Sequence, residues 1–293
     1  MNRRAFLLTA AVAAPTASHA AEQGKKGRPT LCFFSKHLPD LKPDALGRTL
    51  HDIGFTGVDL TVRPKGHVLP ERVAEDLPHA VEAIRSHGVS VPMITTEIIS
   101  AADPKTRAIL GAAARLRIPT FKLGYWKWGA DPVDTIQKVG TELGAIVSLA
   151  KEYGVTAGMH NHAGYVGLAV WDTREMIRNL DPNYIGYYYD TQHARSEGGV
   201  GGWEVSLQLA LANLKMVALK DFAWQQVNGR WAVVSCPLGQ GMVEFPKIFA
   251  ALAARRFTGP ISIHQEYDAA DPVAAAHKDR EFASKLIDQA YAT

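Results

Sequence analysis

The sequence predicts a single (β/α)8 barrel, an α/β fold, and two observations lead there. Short β-branched and aromatic runs alternate with helix-length amphipathic segments, which is the rhythm of a parallel sheet joined by crossover helices. In the second half these runs end abruptly in ionisable residues: FKLGYW, VTAGMHNHAG, IGYYYDTQHA, MVALKDF and ISIHQEYD. Polar groups gathered at the ends of several strands are what an active-site mouth at the C-terminal face of such a barrel needs.

Strands are expected at 30–35, 57–62, 89–95, 119–124, 155–161, 184–190, 214–221 and 260–266, which makes eight. Helices are expected near 43–53, 71–87, 104–116, 133–153, 171–179, 203–213, 245–256 and 272–291. Several open on Asp-Pro and several close on Gly, the usual start and stop signals. FAWQQVNGRWAVV, with Asn228-Gly229 between alternating apolar residues, reads as a hairpin inserted after strand seven. No change of composition divides the series, so residues 30–293 form one domain of roughly 265 residues, a fitting length for one barrel.

Residues 1–21 read as a signal peptide. Arg3 and Arg4 are followed by an apolar stretch from Ala5 to Ala14 and by the small-residue end Ser18-His19-Ala20. The adjacent arginines before Phe6 and Leu7 resemble a twin-arginine export signal, which places the protein in the periplasm. The apolar stretch is too short to span a bilayer, so no stable membrane span is expected after processing. Residues 22–29, EQGKKGRP, read as a linker. Loss of Arg3 and Arg4 takes the formal charge from +3 to +1. A near-neutral surface argues against nucleic acid as a partner and for a small-molecule ligand. Cys32 and Cys236 are the two cysteines, read as free thiols rather than a disulfide.

Strand alternation selects the side chains that meet inside the barrel. In strand five, Val155, Ala157 and Met159 suit the helix-facing side, which turns Thr156, Gly158 and His160 inward. In strand eight, Ile261 and Ile263 face outward, so Ser262, His264 and Glu266 face inward. The same parity brings in Asp59, Lys122, Tyr188, Asp190 and, beside Ala218, Lys220. So many ionisable groups near one mouth are costly to desolvate as structural filler. Bland roles remain open for several: Asp190 as a turn cap, Glu266 as a salt-bridge partner of Lys220, and His264 as a satisfied interior histidine.

Five segments in order, GFTGVDL, HNHAG, YDTQHA with EGG, LKDF, and PLGQGMVEF leading to GPISIHQEYD, resemble the sugar phosphate isomerase/epimerase family of xylose isomerase-like TIM barrels. The resemblance implies one divalent metal held by a Glu of strand five, an Asp of strand six, a His of strand seven and a Glu of strand eight. Such a metal polarises a sugar carbonyl while a carboxylate moves the neighbouring proton. Asp190 and Glu266 match that pattern, but His160 stands where a Glu is usual and Ala218 where a His is usual. Two readings follow. Either His160, Asp190, His264 and Glu266 hold Mn, Zn, Mg or Fe, or Lys220 and Lys122 supply fixed positive charge in its place. Glu266, Asp190, Lys220 and Lys122 are the catalytic candidates. His162, His193, Asn161, Trp126 and Asp59 are the substrate-binding candidates.

The expected activity is isomerisation or epimerisation next to the carbonyl of a sugar or glycoside. Neighbouring readings are keto-glycoside elimination or hydrolysis, and a non-catalytic periplasmic sugar-binding barrel. A phosphorylated substrate is disfavoured by the lack of a Gly-rich phosphate loop. Changing Arg3 and Arg4 together to Lys is expected to hold the protein in the cytoplasm, read by fractionation and immunoblotting. Undiminished periplasmic delivery of that variant would rule out the twin-arginine route.

Overall fold

The computed structural model describes residues 27–292. The expected signal segment and linker residues 22–26 lie outside them. Eight parallel strands close a barrel: β1 (Leu31–Phe34), β2 (Gly57–Thr61), β3 (Ser90–Thr95), β4 (Thr120–Lys122), β5 (Thr156–His160), β6 (Ile185–Asp190), β7 (Leu214–Leu219) and, after an antiparallel hairpin of β8 (Asp221–Val227) and β9 (Arg230–Cys236), β10 (Ile261–Ile263). Pairing of β1 with both β2 and β10 completes the ring. Around it lie α1 (Pro43–Ile53), α2 (Val73–Ser86), α3 (Pro104–Arg115), α4 (Pro132–Tyr153), α5 (Val170–Ile177), α6 (Thr191–Gly198), α7 (Gly202–Leu211), α8 (Phe245–Ala254) and α9 (Pro272–Ala290).

The Asp-Pro signals act as expected. Asp103, Asp131 and Asp271 each accept hydrogen bonds from the first free N–H groups of α3, α4 and α9, with Pro at the first helical position. The hairpin turn falls on Asn228 and Gly229, both left-handed at φ 51° and 75°. Both cysteines are free, Cys32 buried and Cys236 half-buried.

Three expectations need correction. Strand eight ends at Ile263 rather than 266, because the Glu266 N–H turns back to the His264 carbonyl at 3.0 Å, so Glu266 belongs to a loop. Strand seven ends at Leu219, and Lys220 is the hinge into the hairpin. A helix not foreseen, α6, begins directly at the end of β6. In addition, Arg28, inside the expected linker, already pairs with Asp288 of α9.

A large apolar core lies between the strands and the helices, while Met93, Tyr188, Met216 and Ala218 form a separate cluster that follows the inward parity of their strands. Gly158 makes room for it. A Cβ there would stand 1.9 Å from Met216 Cε.

The PLGQGMVEF segment is folded onto buried carboxylates: Asp279 Oδ1 accepts from the Leu238 N–H at 3.0 Å, and Asp221 gathers the rest of the loop. Asp221 Oδ1 accepts from the N–H groups of Phe222 at 2.9 Å and Val243 at 3.1 Å, and Oδ2 accepts from those of Gly239 and Gly241, each at 2.9 Å. This clamp sits one residue past Lys220 and fixes where β7 stops. Asp221→Asn removes one of the two acceptor oxygens and leaves buried N–H groups unpaired, which is expected to cost about 1–3 kcal/mol. Denaturant unfolding measures the loss; an unchanged midpoint would show that the clamp is unimportant.

Candidate active site

At the C-terminal mouth a cavity of about 90 Å³ is lined by Lys122, His160, His162, Lys220, His264 and Glu266, together with Arg63 and Tyr125. Every one of these comes from a strand end or the loop just beyond it.

Asp190 is the hub. It is fully buried at the end of β6 and caps α6, its Oδ1 accepting from the His193 N–H at 3.0 Å. Its Oδ2 receives the Lys220 ammonium at 2.9 Å and His160 Nε2 at 2.9 Å. Its main chain is held by Asn161, whose side chain accepts from the Asp190 N–H at 2.7 Å and donates to the Asp190 carbonyl at 3.2 Å. Burial alone pushes this carboxyl up, but Lys220, His193 and His160 together outweigh it and hold Asp190 well below the usual carboxylate range. The capping role and the charged role therefore coincide in one side chain.

His160 has a defined tautomer. A carboxylate only accepts, so Nε2–H donates to Asp190, and Nδ1 accepts from the Tyr125 hydroxyl at 2.8 Å. Burial, the leading influence, holds its pKa well below the ordinary value and keeps the ring neutral.

Lys220 joins the two halves of the site. Besides Asp190, its Nζ lies 3.4 Å from His193 Nε2 and 3.9 Å from Glu266 Oε1. His193 is neutral, pushed down to about 4 by burial, and so accepts from the ammonium. Glu266 is gripped by Lys36 at 2.8 and 3.1 Å. Burial raises this carboxyl, but Lys220, His264 and Lys36 bring it down to about 2.

Lys122 differs. It is buried, and its Nζ stands 3.3 Å from the centroid of the Tyr125 ring. A cation–π contact favours the ammonium by about 2 kcal/mol when desolvated, whereas removing an ammonium from water costs several kcal/mol. Burial wins, Arg63 adds to it, and the Lys122 pKa lies well below the ordinary value.

The floor is a second polar network. Asp59 accepts from Thr95 Oγ1 at 2.7 Å, Ser262 Oγ at 3.1 Å and the Tyr188 hydroxyl at 3.2 Å. The Tyr188 oxygen in turn accepts from His264 Nε2 at 2.9 Å, and the His264 ring stacks on Phe34 with centroids 4.4 Å apart. With Nε2 protonated, His264 Nδ1 is a buried acceptor without a partner among the described residues.

The structure thus brings Lys122, His160, His162, Lys220, His264 and Glu266 together around one cavity, with Asp190, Asn161 and His193 directly behind. Asp59 lies beneath it. Trp126 is not on the cavity wall; it packs against the core, and Tyr125 faces the site instead. β4 ends at Lys122, and in the loop beyond it an aromatic side chain's suitability for a sugar ring does not fix its direction. Arg63, Tyr125 and Lys36 were missed, because all three lie past strand ends where alternation gives no direction. Among the described residues no group of three or more His, Cys, Asp or Glu is arranged to hold a metal ion. His160 has both nitrogens engaged, Asp190 has both oxygens engaged, and the Lys220 ammonium lies between Asp190 and Glu266. As arranged, this donor set does not fit a cation.

The family model for the Xylose isomerase-like TIM barrel matches residues 48–286, and the chain belongs to that family. Among curated relatives, the inosose dehydratase of Geobacillus kaustophilus is 29% identical over 155 residues, which are 47% of this chain and 49% of that protein. The inosose dehydratase of Halalkalibacterium halodurans is 27% identical over 159 residues, 50% and 51% of the two chains. The chain therefore spans about half the length of the curated relatives it matches. Similar solved folds include the 3-keto-D-glucoside 4-epimerase of E. coli, with TM-score 0.69, 15% identity, and 88% and 100% of the two chains covered. Another is a zinc-bound IOLI protein, with TM-score 0.70, 15% identity, and 90% and 100% covered.

Burial raises Asp59 from 3.8 to about 6, against the opposing effect of its three hydrogen bonds. A carboxyl raised on folding favours the native state below its unfolded pKa, and that contribution fades as pH rises through the folded value. Relative to Asp59→Asn, the wild-type protein is expected to lose about 2 kcal/mol of stability between pH 4 and pH 7. Urea unfolding of both proteins across that range checks the sign; a constant difference would refute the raised pKa.

Proposed function

We propose that the protein is a periplasmic enzyme of the isomerase/epimerase type that moves a proton on the carbon next to the carbonyl of a small sugar or glycoside. The observation that carries this reading is the Lys220 ammonium, fixed by Asp190 and backed by His193 and Glu266 on the cavity wall. A carbonyl oxygen placed against it becomes an enolate oxygen when the neighbouring proton leaves. A preorganised charge there stabilises that state without reorganising at the moment of reaction. His162, whose Nδ1 donates to the Ala163 carbonyl at 3.0 Å, keeps an unprotonated Nε2 for a substrate hydroxyl.

A second reading has its own support. The curated relatives named as dehydratases lose water from their substrate, and loss of a β-oxygen from the same enolate turns proton transfer into elimination. An elimination product carries a conjugated double bond with ultraviolet absorbance, which an epimer lacks.

In deuterium oxide, wild-type protein is expected to exchange the hydrogen beside the carbonyl of a keto-sugar, followed by NMR. Lys220→Met is expected to slow this about 10²–10³-fold. Failure of the wild-type protein to exchange any keto-sugar that it binds would leave a sugar-binding barrel. Stoichiometric metal in untagged protein with chelator-sensitive exchange would replace the lysine reading by the metal one.

A further inference from the structure

We infer that Lys122 is the base of this site: an uncharged ε-amine that takes the proton from the substrate carbon while Lys220 stays charged at the carbonyl oxygen. The inference rests on the proton-transfer reading above and adds to it a division of labour between two lysines in one cavity.

Their surroundings differ in kind. Lys220 is held by a carboxylate at 2.9 Å and has a second at 3.9 Å. Lys122 lines the same cavity, yet among the described residues its Nζ has no ion-pair partner, and its close contact is the face of Tyr125. Asp59, a negative group on the neighbouring strand, already receives Thr95, Ser262 and Tyr188. The charged and titratable groups around Lys122 are Asp59 on β2, Arg63 after it, Glu97 after β3, Tyr125 after β4, His160 on β5 and Lys220 after β7. Burial is the leading influence on the amine, Arg63 and Lys220 disfavour its ammonium form, and Asp59 and Glu97 oppose them.

The carboxylates are poor alternatives. Glu266 is tied to Lys36 and pushed down to about 2, so its affinity for a proton is weak. Asp190 has no free oxygen. The Lys122 amine, with no ion-pair partner among the described residues, offers a lone pair to the cavity, whereas both carboxylates are engaged by cations.

The step balances without a further reactant. The lone pair of Lys122 Nζ takes the proton, the C–H electron pair becomes the carbon–carbon π bond, and the carbonyl π electrons move onto the oxygen beside Lys220. The new ammonium then lies over the Tyr125 ring, whose negative face stabilises the charge as it forms. Tyr125 is itself fixed by its hydroxyl on His160 and by stacking on Tyr165. Return of the proton to the former carbonyl carbon, with the neighbouring hydroxyl proton passing to the former carbonyl oxygen, completes isomerisation. Epimerisation instead takes a proton from water on the opposite face, and Lys122 gives its own back to solvent.

Two measurements test this. In protein made with lysine isotopically labelled at Cε, the resonance absent from Lys122→Met is expected to titrate at a pH well below the exposed lysines. Titration together with them would overturn the inference whatever the activity. In the exchange assay, Lys122→Met is expected to lose about 10²–10⁴-fold in kcat with KM little changed. Lys122→Arg is expected not to restore it, since a guanidinium stays protonated. Exchange by the wild type and by both variants at equal rates would overturn Lys122 as base and leave the proton-transfer reading standing. No exchange by the wild type would overturn that reading, and a base role for Lys122 with it.

Discussion

The buried pair of Asp190 and Lys220 organises the mouth of this barrel. Neither charge is stable there alone, because an unpaired ion in a desolvated site is strongly disfavoured. Together they fix the end of β6, the start of α6 and the point where β7 gives way to the hairpin. The carboxylate holds the His160 ring and the His193 N–H, while Asn161 holds the Asp190 main chain. The arrangement explains how a donor set containing Asp, Glu and two histidines avoids looking like a metal centre. A cation is already built into the chain.

Around that pair the site separates into environments that push like groups apart. One lysine is compensated by carboxylates and the other by an aromatic face. One aspartate is held low by neighbouring charge and the other high by burial. Such splitting is how one pocket keeps acids, bases and fixed charges distinct at a single pH. The neutral ring of His160 lies between the two halves as a hydrogen-bond relay from Tyr125 to Asp190.

The barrel itself was legible from the sequence, because alternation and length distinguish strands from helices and the Asp-Pro caps mark where helices begin. Within the strands, parity placed Asp59, Lys122, His160, Tyr188 and Asp190 correctly inward, as their shared contacts require. Parity fails where the chain leaves the sheet. Past the end of β4 the aromatic character that makes Trp126 suit a sugar ring gives no direction, and Tyr125 faces the cavity; Glu266 reaches the mouth from a loop rather than from a strand. Nor does periodicity reveal which charges touch. The grip of Lys36 on Glu266 links residues that are 230 apart in sequence, a pairing that only the closure of β1 on β10 creates.

The clamp at Asp221 has one more consequence. It locks the root of the β8–β9 hairpin to the loop before α8, whereas the far half of the hairpin, including Val227 and Trp231, is exposed. The root is held while the tip stands in solvent. The turn at Asn228-Gly229 is a place where the chain can be lengthened, opened or given new sequence while the hinge at Lys220 keeps its position. In this fold, a separate surface for recognising larger ligands has somewhere to evolve without disturbing the cluster at the barrel mouth.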